Sequence, residues 1–201
     1  MHVKTLEVGY LLTNCYIIAD EDTKIAVVMD PGGDVAAILD YLEENELTPK
    51  AVFLTHGHFD HVMGVDTFLE YEPVPLYMNR ADVDTDIGNE TYRFSPPADT
   101  VFIDHGDTID VGPLHFEVIG CPGHTPGGVT YKIEDCLFTG DTLFRLSYGR
   151  YDFPASDGQA LLRSLRRLKN LPGSYDVYPG HGQSTTLDFE RKNNPYMRKR
   201  P

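Results

Sequence analysis

Residues 51–61 read Ala51-Val52-Phe53-Leu54-Thr55-His56-Gly57-His58-Phe59-Asp60-His61. The first four are a short apolar run of the kind that forms a buried strand. Behind them comes a loop in which three imidazoles and a carboxylate fall within the six residues from His56 to His61. The whole chain has only eight histidines, so this crowding points to ligands gathered at the carboxyl end of a strand, around a metal.

Upstream, residues 3–8, 15–19 and 24–30 read as strands, with Asn14 and Glu21-Asp22-Thr23 as turns between them. Asp30-Pro31-Gly32-Gly33 breaks the third strand. A helix then follows with Asp34 as its expected N-cap and Val35, Ile38, Leu39 and Leu42 at helical spacing. Downstream, the pattern predicts a single helix from just after His61 to about Tyr71, with Val65, Phe68 and Leu69 inward, and a strand over 75–78. Residues 79–100 carry little pattern beyond a short helix near 80–87 and a loop.

The same design then recurs. Strands are expected over 101–103, 107–111 and 114–119, the last ending in Gly120-Cys121-Pro122-Gly123-His124-Thr125-Pro126-Gly127-Gly128. Cys136-Leu137-Phe138-Thr139 ends in Gly140-Asp141, and Tyr175-Asp176-Val177-Tyr178 leads into Pro179-Gly180-His181-Gly182. Residues 156–169 form a second clear helix, with Ser156 and Gln159 as a capping box and Leu161, Leu165 and Leu168 as its apolar stripe. No linker or repeat divides the 201 residues, so one domain over 1–201 is expected.

A formal charge of −14 argues against nucleic acid as a partner. No apolar run approaches the roughly 20 residues of a membrane span, so no membrane partner is expected. The first residues lack the apolar core of a secretory signal, and the three cysteines, Cys15, Cys121 and Cys136, cannot all pair within the chain. A reducing, cytoplasmic setting is the expectation. The last eleven residues hold Arg191, Lys192, Arg198, Lys199 and Arg200 without an acid, which reads as a solvated basic end.

The candidate ligands are His56, His58, Asp60, His61, His124, Asp141 and His181. Five imidazoles and two carboxylates exceed one tetrahedral zinc but suit two neighbouring ions that share a carboxylate. No thiolate is among them, which favours Zn, Fe or Mn in an open, catalytic site over a structural zinc knot.

His56-x-His58-x-Asp60-His61, His124 in Pro-Gly-His-Thr-Pro-Gly, Asp141 in Phe-Thr-Gly-Asp-Thr and His181 in Pro-Gly-His-Gly together resemble the metallo-β-lactamase superfamily, in order and across the chain. The resemblance implies an α/β (α+β) architecture, a four-layer αββα sandwich with metals at one edge. Within that superfamily the chain looks most like the short glyoxalase II-type thioesterases, on residues 140–154 and on Glu190-Arg191 through Asn194-Pro195-Tyr196. Carried over, His56, His58 and His124 bind a first divalent ion, Asp60, His61 and His181 a second, with Zn2+ the expectation for both, and Asp141 bridges. Asp60 and Asp141 then take part in catalysis by a metal-bridging hydroxide on a small-molecule thioester such as S-lactoylglutathione. Arg150 stands where this family keeps a basic residue for substrate, and Asp30 where an acidic turn orients a ligand imidazole.

The longer glyoxalase II proteins add a helical domain that grips glutathione, and this chain ends about twenty residues after His181. A persulfide dioxygenase using one iron near His56, His124 and Asp141 shares the same strings and stays open as an alternative. β-Lactam hydrolysis and a non-catalytic metal-binding module are further alternatives. Cys121, just ahead of the Pro-Gly-His turn, reads as a small buried hydrophobe.

Overall fold

The computed structural model describes residues 1–88 and 94–198. One six-stranded sheet runs in the order β1 (His2–Val8), β2 (Thr13–Ala19), β3 (Ile25–Met29), β4 (Thr48–Phe53), β5 (Leu76–Met78), β6 (Val101–Phe102). Its first three strands are antiparallel neighbours, and from β3 to β6 the pairing is parallel. The second six-stranded sheet uses β7 (Thr108–Val111), β8 (Leu114–Gly120), β9 (Val129–Ile133) and β10 (Cys136–Gly140). A short hairpin of β11 (Leu143–Phe144) and β12 (Ser147–Tyr148) intervenes before β13 (Asp176–Pro179) and β14 (Thr185–Thr186) complete that sheet beside β10.

Alternation along the strands explains the layers. Tyr16, Ile18, Val27, Met29, Ala51 and Phe53 meet Phe116, Val118, Tyr131 and Phe138 between the sheets. Phe53 stacks on Tyr131 at 4.8 Å between ring centroids and meets Phe116 edge-on at 4.9 Å. The intervening residues Ile17, Val28 and Val52 face the other way, onto Ile38 and Leu42 of α1 (Val35–Glu44). On the far face of the second sheet, Leu137 and Val177 pack under the helix Gly158–Lys169 through Leu165 and Leu168. Helices thus cover the outer faces of the central strands while β1, β7 and β8, towards the sheet edges, leave residues to solvent, and the result is the αββα sandwich.

Several boundaries differ from expectation. The single helix after His61 is two, α2 (Phe59–Val62) and α3 (Val65–Tyr71), because the Gly64 N–H donates instead to Pro31 O at 2.9 Å. Asp60 and His61 therefore ride on α2. The helix near 80–87 shrinks to α4 (Ala81–Asp84), and the loop expected after it falls partly on residues 89–93, outside the described residues. The second long helix is α5 (Gly158–Lys169), capped by Asp157, whose carboxylate accepts from the N–H groups of Gln159 and Ala160. The Ser156 hydroxyl donates to Phe153 O, so the capping box does not form. Asp34 does precede α1 but sits at φ 45°, and its carboxylate accepts from Gly9 N–H. Asn14 is inside β2, not a turn: its buried amide donates to Pro179 O and Gly182 O, pinning the His181 loop.

The strand β9 and the closing helices α6 (Leu187–Asn193) and α7 (Pro195–Arg198) have no counterpart in the sequence reading. In the basic end expected to be solvated, Lys192 and Arg198 are exposed but Arg191 is not free. The Arg191 guanidinium donates to Lys169 O, Leu171 O and Gly173 O and pairs with Asp188, closing the carboxyl end of α5. Lys199 and Arg200 lie outside the described residues.

Candidate metal centre

Every candidate ligand leaves a strand at one end of the sandwich. β4 delivers His56 and His58, and α2, which follows at once, delivers Asp60 and His61. In the second sheet β8, β10 and β13 run in the same direction, since β8 and β10 are both antiparallel to β9 and β10 is parallel to β13. Their carboxyl ends carry His124, Asp141 and His181 to the same edge. The approach is tight enough to dictate residue type at Gly180, where a Cβ would lie 2.2 Å from Asp141 Oδ1. The two sheets are tied directly below the site by Val129 N–H donating to Thr55 O at 2.9 Å and Tyr131 OH donating to Leu54 O at 3.0 Å.

Ligand atoms fall into three groups, each within 4.8 Å: His56, His58 and His124; Asp60, His61 and His181; and His56, His61 and Asp141, which overlaps both. Asp141 lies between the other two groups. Its Oδ1 is 3.5 Å from His61 Nε2, and its Oδ2 is 3.4 Å from His124 Nε2 and 3.7 Å from His181 Nε2. Asp60 Oδ2 is 3.1 Å from His181 Nε2 and accepts from the Thr13 hydroxyl, also at 3.1 Å.

Hydrogen bonds on the outward nitrogens fix the tautomers. A carbonyl oxygen only accepts, so His58 Nε2, 3.0 Å from Ile87 O, and His124 Nδ1, 2.8 Å from Arg150 O, carry protons. In the neutral imidazoles the other two nitrogens, 2.8 Å apart, are left as facing lone pairs. Thr55 Oγ1 donates to Asp30 Oδ2 at 2.6 Å and so accepts from His56 Nδ1, 3.1 Å away. His61 Nδ1 donates to Asp30 Oδ2 at 2.9 Å. His56 Nε2, His61 Nε2 and Asp141 Oδ1 are then buried with no hydrogen-bond partner within the protein. Buried polar atoms left without partners call for one, and converging lone pairs beside carboxylates call for a cation. The residues fit bound metal, with the outward bonds supplying the support that metal-ligating histidines require.

The electrostatic surroundings favour neutral imidazoles in one half of the site. Burial, reinforced by neighbouring imidazoles, holds His56 well below the usual histidine value and lowers His58 to about 4, leaving both neutral. For His61 burial also acts downward, but Asp30, Asp141 and Asp60 outweigh it and raise the pKa to about 9. Without metal a proton occupies the place that the surrounding carboxylates make for positive charge, and a bound cation would displace it.

Asp30 stands where the sequence put it, touching His61 and, through Thr55, His56. Arg150 contributes its carbonyl. Its guanidinium is exposed, paired with Asp152 at 2.9 Å and lying 4.4 Å over the Phe153 ring, which in turn packs 4.9 Å from His58. Cys121 is fully buried; burial pushes its thiol up to about 11, and its sulfur accepts from the Thr130 hydroxyl.

Thr13, Thr55, Phe153 and Asp82 were not identified from sequence. Asp82, on α4, is buried and accepts from Gly57 N–H at 2.9 Å, Thr125 Oγ1 at 2.8 Å and Gly127 N–H at 2.5 Å. Beside Asp60 and Thr13 a groove of about 430 Å³ opens between residues 8–11, the start of α1 and Met63, with largely apolar walls.

A family model described as the metallo-beta-lactamase superfamily matches residues 8–181. The chain is 33% identical to the probable metallo-hydrolase YqgX of Bacillus subtilis, and also to the hydroxyacylglutathione hydrolase GloC of Haemophilus influenzae, over 98% of both chains each time. Among solved structures it is similar to the BLEG-1 B3 metallo-beta-lactamase, at TM-score 0.89 and 34% identity over 98% of this chain and 99% of that one. TTHA1623 in a di-iron-bound form gives 0.84 and 35% over 98% and 100%, and ETHE1 from Myxococcus xanthus 0.86 and 32% over 100% and 86%.

Proposed function

The chain belongs to the metallo-β-lactamase superfamily, and on that premise we propose that it is a metal-dependent thioester hydrolase of the glyoxalase II type. His56, His58 and His124 hold one ion, Asp60, His61 and His181 a second, and Asp141 faces both. The observation that carries the reading is the inward convergence of ring nitrogens around one shared carboxylate, with those of His56, His58, His61 and His124 each backed by an outward bond. The likeness to GloC along 98% of the chain supports the substrate class.

Divalent ions held there, zinc or iron, would supply a water deprotonated near neutral pH and a Lewis acid for the thioester carbonyl. Asp60 keeps a carboxylate oxygen at the site, fixed by Thr13, to accept a hydrogen bond from the attacking water. His56 and His58 stay neutral at neutral pH and keep one lone pair each available. Phe153 covers His58 and His124 and limits water on that side. A thiolate leaving group, with a pKa of ~8.5, departs without a general acid. The apolar groove beside Asp60 receives the acyl chain, while Arg150 lies by the opposite rim for an anionic thiol carrier.

A second reading, a one-iron persulfide dioxygenase, is favoured by the likeness to ETHE1 over the full chain; β-lactam hydrolysis is raised by the likeness to BLEG-1. Elemental analysis of the purified chain, paired with assays on S-lactoylglutathione, glutathione persulfide with oxygen uptake, and a chromogenic cephalosporin, separates the three. Two ions per chain and thioester cleavage are expected. One iron with oxygen uptake, or cephalosporin turnover without thioesterase activity, would overturn the proposal.

A further inference from the structure

The loops that present the triad of His56, His58 and His124 come from different sheets and are joined at their base by Val129 N–H donating to Thr55 O, while no strand pairing among the described residues fixes the distance between the ligand-bearing turns above that tie. Asp82 does span that distance. One carboxylate oxygen accepts from Gly57 N–H, between His56 and His58, and from the hydroxyl of Thr125, next to His124. The other accepts from Gly127 N–H. The loop approaches so closely that a Cβ on Gly127 would lie 2.7 Å from Asp82 Oδ1. Three donors converge on one buried carboxylate, which anchors both loops to α4. Asp30 does the corresponding work elsewhere, on His61 and, through Thr55, on His56.

We propose that Asp82 is a positioning residue for the His56, His58 and His124 triad, fixing the spacing of its two loops so that an ion held there depends on Asp82 while an ion held by Asp60, His61 and His181 does not. The inference rests on the reading of these triads as metal sites. A carboxylate that merely filled space would support the whole edge of the sandwich, and its loss would weaken both sites alike.

The test uses the full chain, stripped of metal and titrated with Co2+, with d–d absorbance and bound-ion stoichiometry as readouts. His58→Ala and His181→Ala each leave a single site and identify the two signals. The expected result is that Asp82→Ala weakens the ion remaining in the His181→Ala background by about 10- to 100-fold, the scale for groups supporting metal ligands, and leaves the ion remaining in His58→Ala unchanged. Asp82→Asn, which keeps an acceptor oxygen, falls between. Thr125→Val, which removes one of the three donors, shows the same one-sided loss if Asp82→Ala does not fold, and Thr125→Ser restores it. Equal weakening of both ions, or no weakening of either, overturns the positioning role. If the unmodified chain binds no Co2+, the metal-site reading falls, and this inference with it.

Discussion

Asp30 and Asp82 are both buried carboxylates that accept several hydrogen bonds, yet only the first could be found in the sequence. Asp30 ends a strand immediately before Pro31-Gly32-Gly33, a place where an acid has a recognisable job. Asp82 is one of 31 acids, on a one-turn helix without periodicity, and its partners lie 25 to 45 residues away along the chain. Only the tertiary fold makes it meaningful, and the same is true of Thr13 beside Asp60. The candidate ligands were legible because metal chemistry demands rare residue types at glycine turns, whatever the surrounding fold. Asp30→Ala is expected to weaken metal binding by about 10- to 100-fold in chelator competition, since it frees His61 Nδ1 and the Thr55 hydroxyl together; undiminished affinity would remove Asp30 from the site. His58→Ala and Asp141→Asn are each expected to abolish thioester turnover, with far-UV circular dichroism unchanged.

At the scale of elements, periodicity located α1, α5 and the strands that bury alternate residues, but it placed caps and breaks poorly. The cap of α5 moved from Ser156 to Asp157, because two neighbouring residues could both cap and only backbone geometry chooses between them. β9 was passed over beside the conspicuous glycine loop before it, although Val129, Tyr131 and Ile133 alternate as a strand should. The carboxylate of Asp157, accepting from Ala160 N–H and Gln159 N–H, is held below its ordinary value. A lowered native pKa stabilises above the unfolded value of about 3.9 and loses that effect as pH falls through the native value. The gap in urea midpoint between the unmodified chain and Asp157→Ala is therefore expected to be full at pH 7 and to narrow below about pH 4. Leu165→Ala, deleting a buried contact between α5 and the second sheet, should cost about 2–5 kcal/mol in urea unfolding without changing metal stoichiometry. Tyr10 is exposed at the mouth of the groove and stacks 6.1 Å from Phe59. Tyr10→Ala is expected to raise KM for long-chain acyl thioesters several-fold more than for S-lactoylglutathione, and equal effects would place the acyl chain elsewhere.

For the molecule as a whole, metal removal is expected to lower the thermal midpoint, because an ion at 100 times its Kd adds about 2.7 kcal/mol to the native state. Calorimetry with and without chelator measures this directly. The tie between Val129 and Thr55, and the shared position of Asp141, give that stabilisation a direction. Each candidate triad draws two ligands from the chain of the first sheet and one from the chain of the second: His56 and His58 with His124, Asp60 and His61 with His181. Neither half of the protein can assemble a complete site by itself. Metal retention is therefore a gauge of docking between the halves, much as a rivet records whether two plates still touch. A chain nicked in the connection near residues 104–107 should come apart at a lower urea concentration when chelated than when loaded, since the core between the sheets remains in both states.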